Sequence, residues 1–502
     1  MRVARRRPSA KLPAPTAKRA IGDLHISLAG RTNLAGEIYA QLVEAISTGR
    51  LKPGDRLPPT REFATRLGVS RTTVAFAYDR LTGEDLLTSR VGSGTFVSQS
   101  ASPTVQHDAM HASPLQPREI WADVSVRHEH ALVERQVEFD FRPGIPDVRF
   151  FPHDRWRRLV SSQWRATCHA VGVYGDPAGY DGLRMAVARH IGVARGVRAS
   201  AGEIVITNGT QQALDIIAGV LLRPGDCVAL EDPGYPPAWD LFKAQGAAVS
   251  AVPVDQDGLV VEAIPDQARL VYVSPSHQFP LGVSMSTARR SSLLEWAEVH
   301  NAAIVEDDYD SELRFGGRPP DPLQTLDKNG RVIFVGSFSA TMLPSLRLGF
   351  VKVPGSLIEP LQAAKYVADR HSATATQVAL ARFIDEGWFA HHLRKMRTVY
   401  QRRHAKIMHA MTTEFAQHLD PIPSITGLHI CAIARHASTQ ELGAGLDRAA
   451  MAGVDVAPLA RYCMSGKPVA GLVIGCGAIH DERIEEGMLK LSRSLFGKAR
   501  VN

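Results

Sequence analysis

The chain has no apolar run that reaches the roughly 18 residues a bilayer-spanning helix needs. Its Arg-rich start (Arg2, Arg5, Arg6, Arg7) runs into Pro and Ala without the apolar stretch of a secretory signal. The reading is of a cytoplasmic protein without a membrane partner. Cysteine is scarce: five in 502 residues, Cys168, Cys227, Cys431, Cys463 and Cys476, with no C-x-x-C pair. That spacing supports neither a disulfide framework nor a thiolate zinc site, so the thiols read as buried and reduced, and no metal is expected. A repeat of the period that builds solenoids is also missing.

A net excess of positive charge is lacking everywhere except at the start. Residues 1–100 hold 16 of the 58 Lys+Arg and 8 of the 51 Asp+Glu, so the net charge of +7 is entirely N-terminal. A polyanion is the natural partner of that segment and not of the rest. The length exceeds what one core serves, about 250 to 300 residues, so at least two domains are expected. We divide the chain into a basic tail (1–28), a small helical domain (29–98), a tether rich in Ser, Pro, His, Ala and Gln (99–140) and a large domain (141–500).

In the small domain Leu34, Ile38, Leu42 and Ile46 recur every fourth residue, predicting an amphipathic helix that Gly49 ends. After Pro53-Gly54, Thr60 can cap a short helix carrying Phe63, Ala64 and Leu67. Ser70 then caps a third helix whose inward face is Val74, Ala77, Tyr78 and Leu81. The stretch LLTSRVGSGTFV (86–97) reads as two strands about a Gly-Ser-Gly turn. Helix, turn, helix and wing make a winged helix-turn-helix, with Ser70-Arg71-Thr72-Thr73 at the end that meets a major groove. LKPGDRLPPTREFATRLGVSRTTV and GSGTFV resemble the GntR family of regulators. That resemblance implies contacts to an operator duplex from Arg61, Ser70, Arg71, Thr72, Thr73 and the wing glycine Gly94; Ala75 departs from it, since many members carry a basic residue there.

In the large domain, β-branched runs at 203–207, 227–231, 270–274, 303–307 and 332–336 alternate with helical stretches. This predicts an α/β fold with a mostly parallel sheet covered by helices, its chemistry in the loops after the strands. Asn208-Gly209-Thr210-Gln211 opens a helix after one strand, while Ser337, Ser339 and Arg347 follow another, together suiting a phosphomonoester. Strand alternation sets Asp307 and Tyr309 on one face, where a carboxylate and a phenol suit a protonated ring nitrogen and a ring oxygen. An acidic loop or a hard-oxygen metal site is the alternative reading of that run.

From Tyr174 onward the chain resembles the class I, fold-type I aminotransferases through YGDPAGYDGLR, TNGTQQAL, EDPGYP, VSPSHQFPLG, VEDDYDSE and GSFSATMLPSLRLGF, in that order. With the winged helix in front, the whole resembles the MocR-type regulators. The resemblance implies pyridoxal 5'-phosphate, with Asp307 on the pyridine nitrogen, Tyr309 on the ring hydroxyl and Tyr235 stacked on the ring. Gly209, Thr210, Ser337, Ser339 and Arg347 would hold the phosphate beside Gln211, and Tyr174 would reach the phosphate of the partner subunit in a homodimer.

The Schiff-base lysine of this family is absent: Ala340 follows Ser339 in its place. The cofactor is then expected non-covalently, or as an external aldimine with an amine effector, and the domain is expected to regulate, not to transaminate. Ala340 fits a recent loss or a deliberate replacement of the lysine. A working aminotransferase that carries a DNA-binding domain, and a domain used for dimerisation alone, are the competing functions. Phe279 stands where enzymes of the family have asparagine, and no arginine occupies GLVIGCG (471–477) to take a substrate carboxylate, which leaves Arg461 as a substitute. Lys352 and Lys365 are expected to lie outside the site, Lys352 as a surface charge.

Overall fold

The computed structural model describes residues 26–28, 33–90, 92–100, 118–123, 137–166, 173–317, 319–466 and 468–497. Nearly all of the basic tail and most of the tether fall outside them. Two compact units result, Met1–Pro117 and Arg118–Asn502.

The first unit contains α1 (Leu34–Ser47), α2 (Thr60–Leu67), α3 (Arg71–Gly83) and a ribbon of β1 (Leu87–Arg90) against β2 (Gly94–Val97). The apolar stripes anticipated from the sequence meet: Ile38, Leu42 and Ile46 of α1 share a core with Phe63 of α2 and with Val74, Ala77, Tyr78 and Leu81 of α3. Ser70 caps α3, its Oγ accepting from the Thr73 amide at 3.1 Å. Thr60 is no cap; it is the first helical residue of α2, behind Pro59. Gly94 opens β2 at φ 111°, a backbone that L side chains rarely adopt, and a Cβ there would press on Arg56.

The second unit begins earlier than the large domain read from the sequence. Arg118 donates to the Ala244 carbonyl, and β3 (Phe139–Phe141) pairs within a sheet, so the tether's C-terminal end belongs to this unit. An eight-stranded sheet follows from β4 (Ile204–Thr207), β5 (Cys227–Asp232), β6 (Ala248–Asp255), β7 (Gly258–Leu259), β8 (Ala268–Val273), β9 (Ala303–Asp308), β10 (Val332–Ser337) and β11 (Gly349–Lys352), in the order β4-β11-β10-β9-β8-β5-β6-β7. It is mostly parallel, with β11 antiparallel to both neighbours and β7 antiparallel to β6. A second sheet, not foreseen, joins β3 to β12 (Leu419–Pro421), β13 (His429–Ala434), β14 (Val454–Pro458) and β15 (Gly471–Gly475), ordered β12-β13-β15-β14-β3.

Lys352 is a correction. It is 7% exposed on β11, with Nζ 3.6 Å from Glu203 Oε1, because the strand inserted between β4 and β10 carries the lysine inward. The four described cysteines are free, three of them buried. No helix among the described residues is long and apolar enough to cross a membrane.

Candidate functional site

Chain segments leaving the carboxyl ends of β5, β8, β9 and β10, together with the start of the helix Thr210–Leu221 after β4, wall a cavity of about 550 Å³. Thr210, Gln211, Tyr235, Asp307, Tyr309, Ser337, Ser339, Ala340 and Arg347 all line it. Nine positions picked from separate motifs are thus brought to one place. Gly209 lies just behind, with φ 84° at the helix start, and a Cβ there would come 3.1 Å from the Arg347 guanidinium. Tyr174 is not on this wall: it is 76% exposed, under the Arg370 guanidinium at 4.4 Å.

One end of the cavity is built for an anion. Arg347 adopts the left-handed backbone (φ 50°) and donates from Nη2 to the Asn208 carbonyl at 2.8 Å, which brings its charge to the amino end of the helix Thr210–Leu221. The helix dipole and unsatisfied amides there add to the same field. Ser337 Oγ donates to Ser339 Oγ at 3.0 Å and accepts from the Ser339 amide at 3.1 Å, folding both hydroxyls into the turn that precedes Ala340. The Asn208 loop is held from behind by Asp369, which accepts from Asn208 Nδ2 at 2.7 Å, from Gln212 Nε2 at 2.8 Å and from buried Lys365. Lys365 is therefore a brace for this loop and does not line the cavity. Nothing in the sequence pointed to Asp369, which lies 161 residues from Asn208.

The other end is acidic and buried. Asp307 Oδ2 accepts from the Tyr272 hydroxyl at 2.7 Å, while its Oδ1 is buried with no hydrogen-bond partner among the described residues. A buried acceptor left open costs about 1–3 kcal/mol unless a donor arrives. The Tyr309 hydroxyl lies 3.0 Å from His277 Nδ1, and that nitrogen is 2.8 Å from Asp310 Oδ2. The acidic run does not converge on a metal: Glu306 accepts from the Leu323 and Gln324 amides, Asp308 pairs with Arg195 at 2.6 Å, and Asp310 faces His277. Phe279 is edge-on to Tyr235, His429 and Tyr462. Arg461 lies on the cavity wall, as does Arg142, which is already paired with Asp140 at 2.6 Å. Sequence reasoning missed Tyr272 and His277; the inward alternation of LVYVS and a histidine in the loop SHQFP just after that strand were the available signs.

Burial raises the carboxyls of Glu231 to about 8 and of Glu306 and Asp307 to about 7. Each keeps its proton in the folded protein where the unfolded chain has lost it, so this contribution to stability declines as pH rises through the folded values. His392 and His404, held down at about 4 by burial, act oppositely between about 4 and 6.5. Between pH 6.5 and 8 the carboxyls dominate, since the buried thiols, phenols and Lys365 have ordinary values of about 9 or above. The melting temperature of the ligand-free protein is therefore expected to fall from pH 6.5 to 8 in calorimetry at fixed ionic strength, and a flat or rising profile would contradict the burial of these acids.

In the winged helix, Arg61, Ser70, Arg71 and Thr72 are exposed and Thr73 is partly so. Ser70 Oγ lies 2.7 Å from the hydroxyls of both Thr72 and Thr73, which gathers three hydroxyls at the amino end of α3. The wing hairpin pairs Arg90 with Gly94.

Residues 34–97 match the family described as bacterial regulatory proteins, gntR family, and residues 147–444 match aminotransferase class I and II. The chain is 37% identical over 467 residues to the probable rhizopine catabolism regulatory protein MocR of Rhizobium meliloti, covering 92% of this chain and 93% of that one. Identity is 31% over 467 residues to the HTH-type pyridoxine biosynthesis transcriptional regulator PdxR of Corynebacterium glutamicum, covering 92% and 96%. Among solved structures, Pyrococcus horikoshii kynurenine aminotransferase in complex with PMP superposes with a TM-score of 0.68 at 27% identity, over 76% of this chain and 95% of that one. A winged helix joined to an aminotransferase fold defines the class: a DNA-binding transcriptional regulator with an aminotransferase-like domain. The chain belongs to the GntR family of bacterial regulators, in its MocR-type branch.

Proposed function

We propose that the aminotransferase-like domain binds pyridoxal 5'-phosphate, alone or as its adduct with a primary amine, as an effector in a homodimer, and that it does not transaminate. The observation that carries this reading is the orphaned Asp307 Oδ1 in the same cavity as the Arg347, Ser337 and Ser339 cluster, with Ala340 between them in sequence and on the same wall. A protonated pyridine nitrogen is the donor that Oδ1 lacks. Tyr309 would bond the ring hydroxyl, Tyr235 would cover the ring face, and Thr210, Ser337, Ser339, Arg347 and the Gly209 amide would hold the phosphate. Tyr174, exposed on its own subunit, would complete the phosphate site of a second copy.

When bound, such a cofactor supplies an electron sink; the protein supplies position and electrostatics. A methyl group at 340 can neither bond covalently to the cofactor nor carry a proton to and from a substrate carbon. What remains is binding with consequences elsewhere. Arg71 and the hydroxyls of Ser70, Thr72 and Thr73 would enter the major groove, with Arg61 and the Gly94 wing on the flanking backbone. Occupancy of the cavity would change how two winged helices span their half-sites.

The test is an absorbance titration with pyridoxal 5'-phosphate of this chain and of Ala340→Lys, followed by borohydride and mass analysis. The chain as it stands is expected to bind reversibly with no added mass, while Ala340→Lys gains a long-wavelength band and a borohydride-fixed adduct. Operator affinity is expected to move by about fivefold or more with the cofactor or its amine adducts, the usual scale of allosteric coupling. Binding by neither form, or steady turnover of an amino donor by this chain, would overturn the reading.

A further inference from the structure

Phe76 is 70% exposed on α3, a helix whose inward face is already filled by Val74, Ala77, Tyr78 and Leu81. At about 3.6 residues per turn, the residues opposite that face are Thr72, Phe76 and Asp79. Thr72 and Phe76, four apart, form one outward ridge just beyond Arg71, with the small Ala75 beside them. An aromatic ring facing water at the centre of a recognition helix has no role in this domain's core. It lies where such a helix meets base edges.

The major-groove edges of the bases offer one apolar group, the C5 methyl of thymine; the rest are hydrogen-bond donors and acceptors. We propose that Phe76 reads a thymine methyl, making it a specificity-determining residue of the operator half-site next to the bases faced by Arg71 and Thr72. Ala75 supports the same chemistry. With a methyl at this position, no cationic side chain competes for the adjoining base. Asp79, the next residue on this side of the helix, is exposed and anionic, so it would be repelled by phosphates and the ridge available to DNA ends at Phe76.

The test uses the full-length protein and a duplex that it enriches from a random pool. Each thymine of one half-site is replaced in turn by uracil, which removes only the methyl. One replacement is expected to weaken binding by the wild type about fourfold, the worth of one buried methyl. Phe76→Ala is expected to be indifferent to that replacement. It should bind the parent duplex at least as weakly as the wild type binds the uracil duplex, with unchanged affinity for random DNA and unchanged salt dependence, since the ring touches no phosphate. Absence of any methyl-sensitive thymine, or equal sensitivity in Phe76→Ala, overturns the proposal. Equal loss on random and enriched DNA also overturns it, and assigns the ring to a protein contact. Failure of the wild type to enrich any duplex would instead strike the DNA-binding reading itself.

Discussion

Asp307→Ala is expected to weaken pyridoxal 5'-phosphate binding by about 30-fold or more. Truncating one partner of a buried, hydrogen-bonded charge pair costs roughly 2–5 kcal/mol, and the lower end of that range already gives the factor. Burial is what makes the carboxylate strong here. The Tyr272 hydroxyl occupies Oδ2, Oδ1 has no partner among the described residues, and burial pushes the carboxyl up to about 7, so a cationic donor would stabilise the ionised form that burial disfavours. Asp307→Asn separates charge from shape: it keeps the volume and an acceptor for Tyr272, but loses the charge. It should lose most of the affinity while flattening the decline of stability above pH 6.5 by up to about 1.4 kcal/mol per pH unit, the contribution of one linked proton. Titration of both variants, with melting curves at several pH values, checks the two effects separately. Wild-type affinity in Asp307→Ala would place the ring somewhere other than against this carboxylate.

The residues legible in the sequence share a physical property: each lies within a few positions of a strand end. Gly209 and Thr210 follow β4, Asp307 and Tyr309 sit at the end of β9, and Ser337 and Ser339 at the end of β10. In a parallel sheet, strand ends converge without help from distant sequence, so local pattern foretells the site. What was not legible is what the sheet brings together across the chain. Tyr272 meets Asp307 because β8 and β9 are neighbours in register, and Asp369 braces the Asn208 loop from a helix on another segment. Lys352 read as a surface charge because a lysine at a strand's end is usually exposed; insertion of β11 between β4 and β10 buried it against Glu203. The five-stranded sheet escaped because β3 and β12 are three residues each, too short to carry an alternation.

Arg403→Ala is expected to destabilise the large unit by about 3 kcal/mol, the low end of the cost of breaking a buried ion pair, because the buried Asp147 loses one of its two guanidinium partners and two buried carbonyls lose their donor. The side chain is 1% exposed in the helix Trp388–Thr413. Its Nη2 lies 2.6 Å from Asp147 Oδ2, its Nε 2.6 Å from Asp481 Oδ1, and Nη1 donates to the carbonyls of Cys476 and Gly477. One guanidinium therefore ties three segments together: the Arg142–Phe150 stretch that contributes to the cavity wall, the end of β15, and the start of the C-terminal helical region. The approach is close enough that Gly475 and Gly477 are required, since a Cβ at either would overlap the carbonyls of Arg142 and Ile145. Loss of the arginine leaves Asp147 with Arg149 alone, itself partly exposed, and strips the two carbonyls of their donor. For contrast, Arg435 pairs with Asp420 at the surface, where both side chains are wet, and Arg435→Ala is expected to change stability by no more than about 0.5 kcal/mol. Thermal melts of the two variants give the comparison. Because Ile145 and Val148 line the cavity, Arg403→Ala should also loosen cofactor binding without removing any residue that would touch the ring or the phosphate. A double-mutant cycle with Asp147→Ala carries the argument to its end: if the two residues act as one buried pair, the combined loss falls well short of the sum of the single losses, whereas additive losses would make Arg403 a mere packing residue.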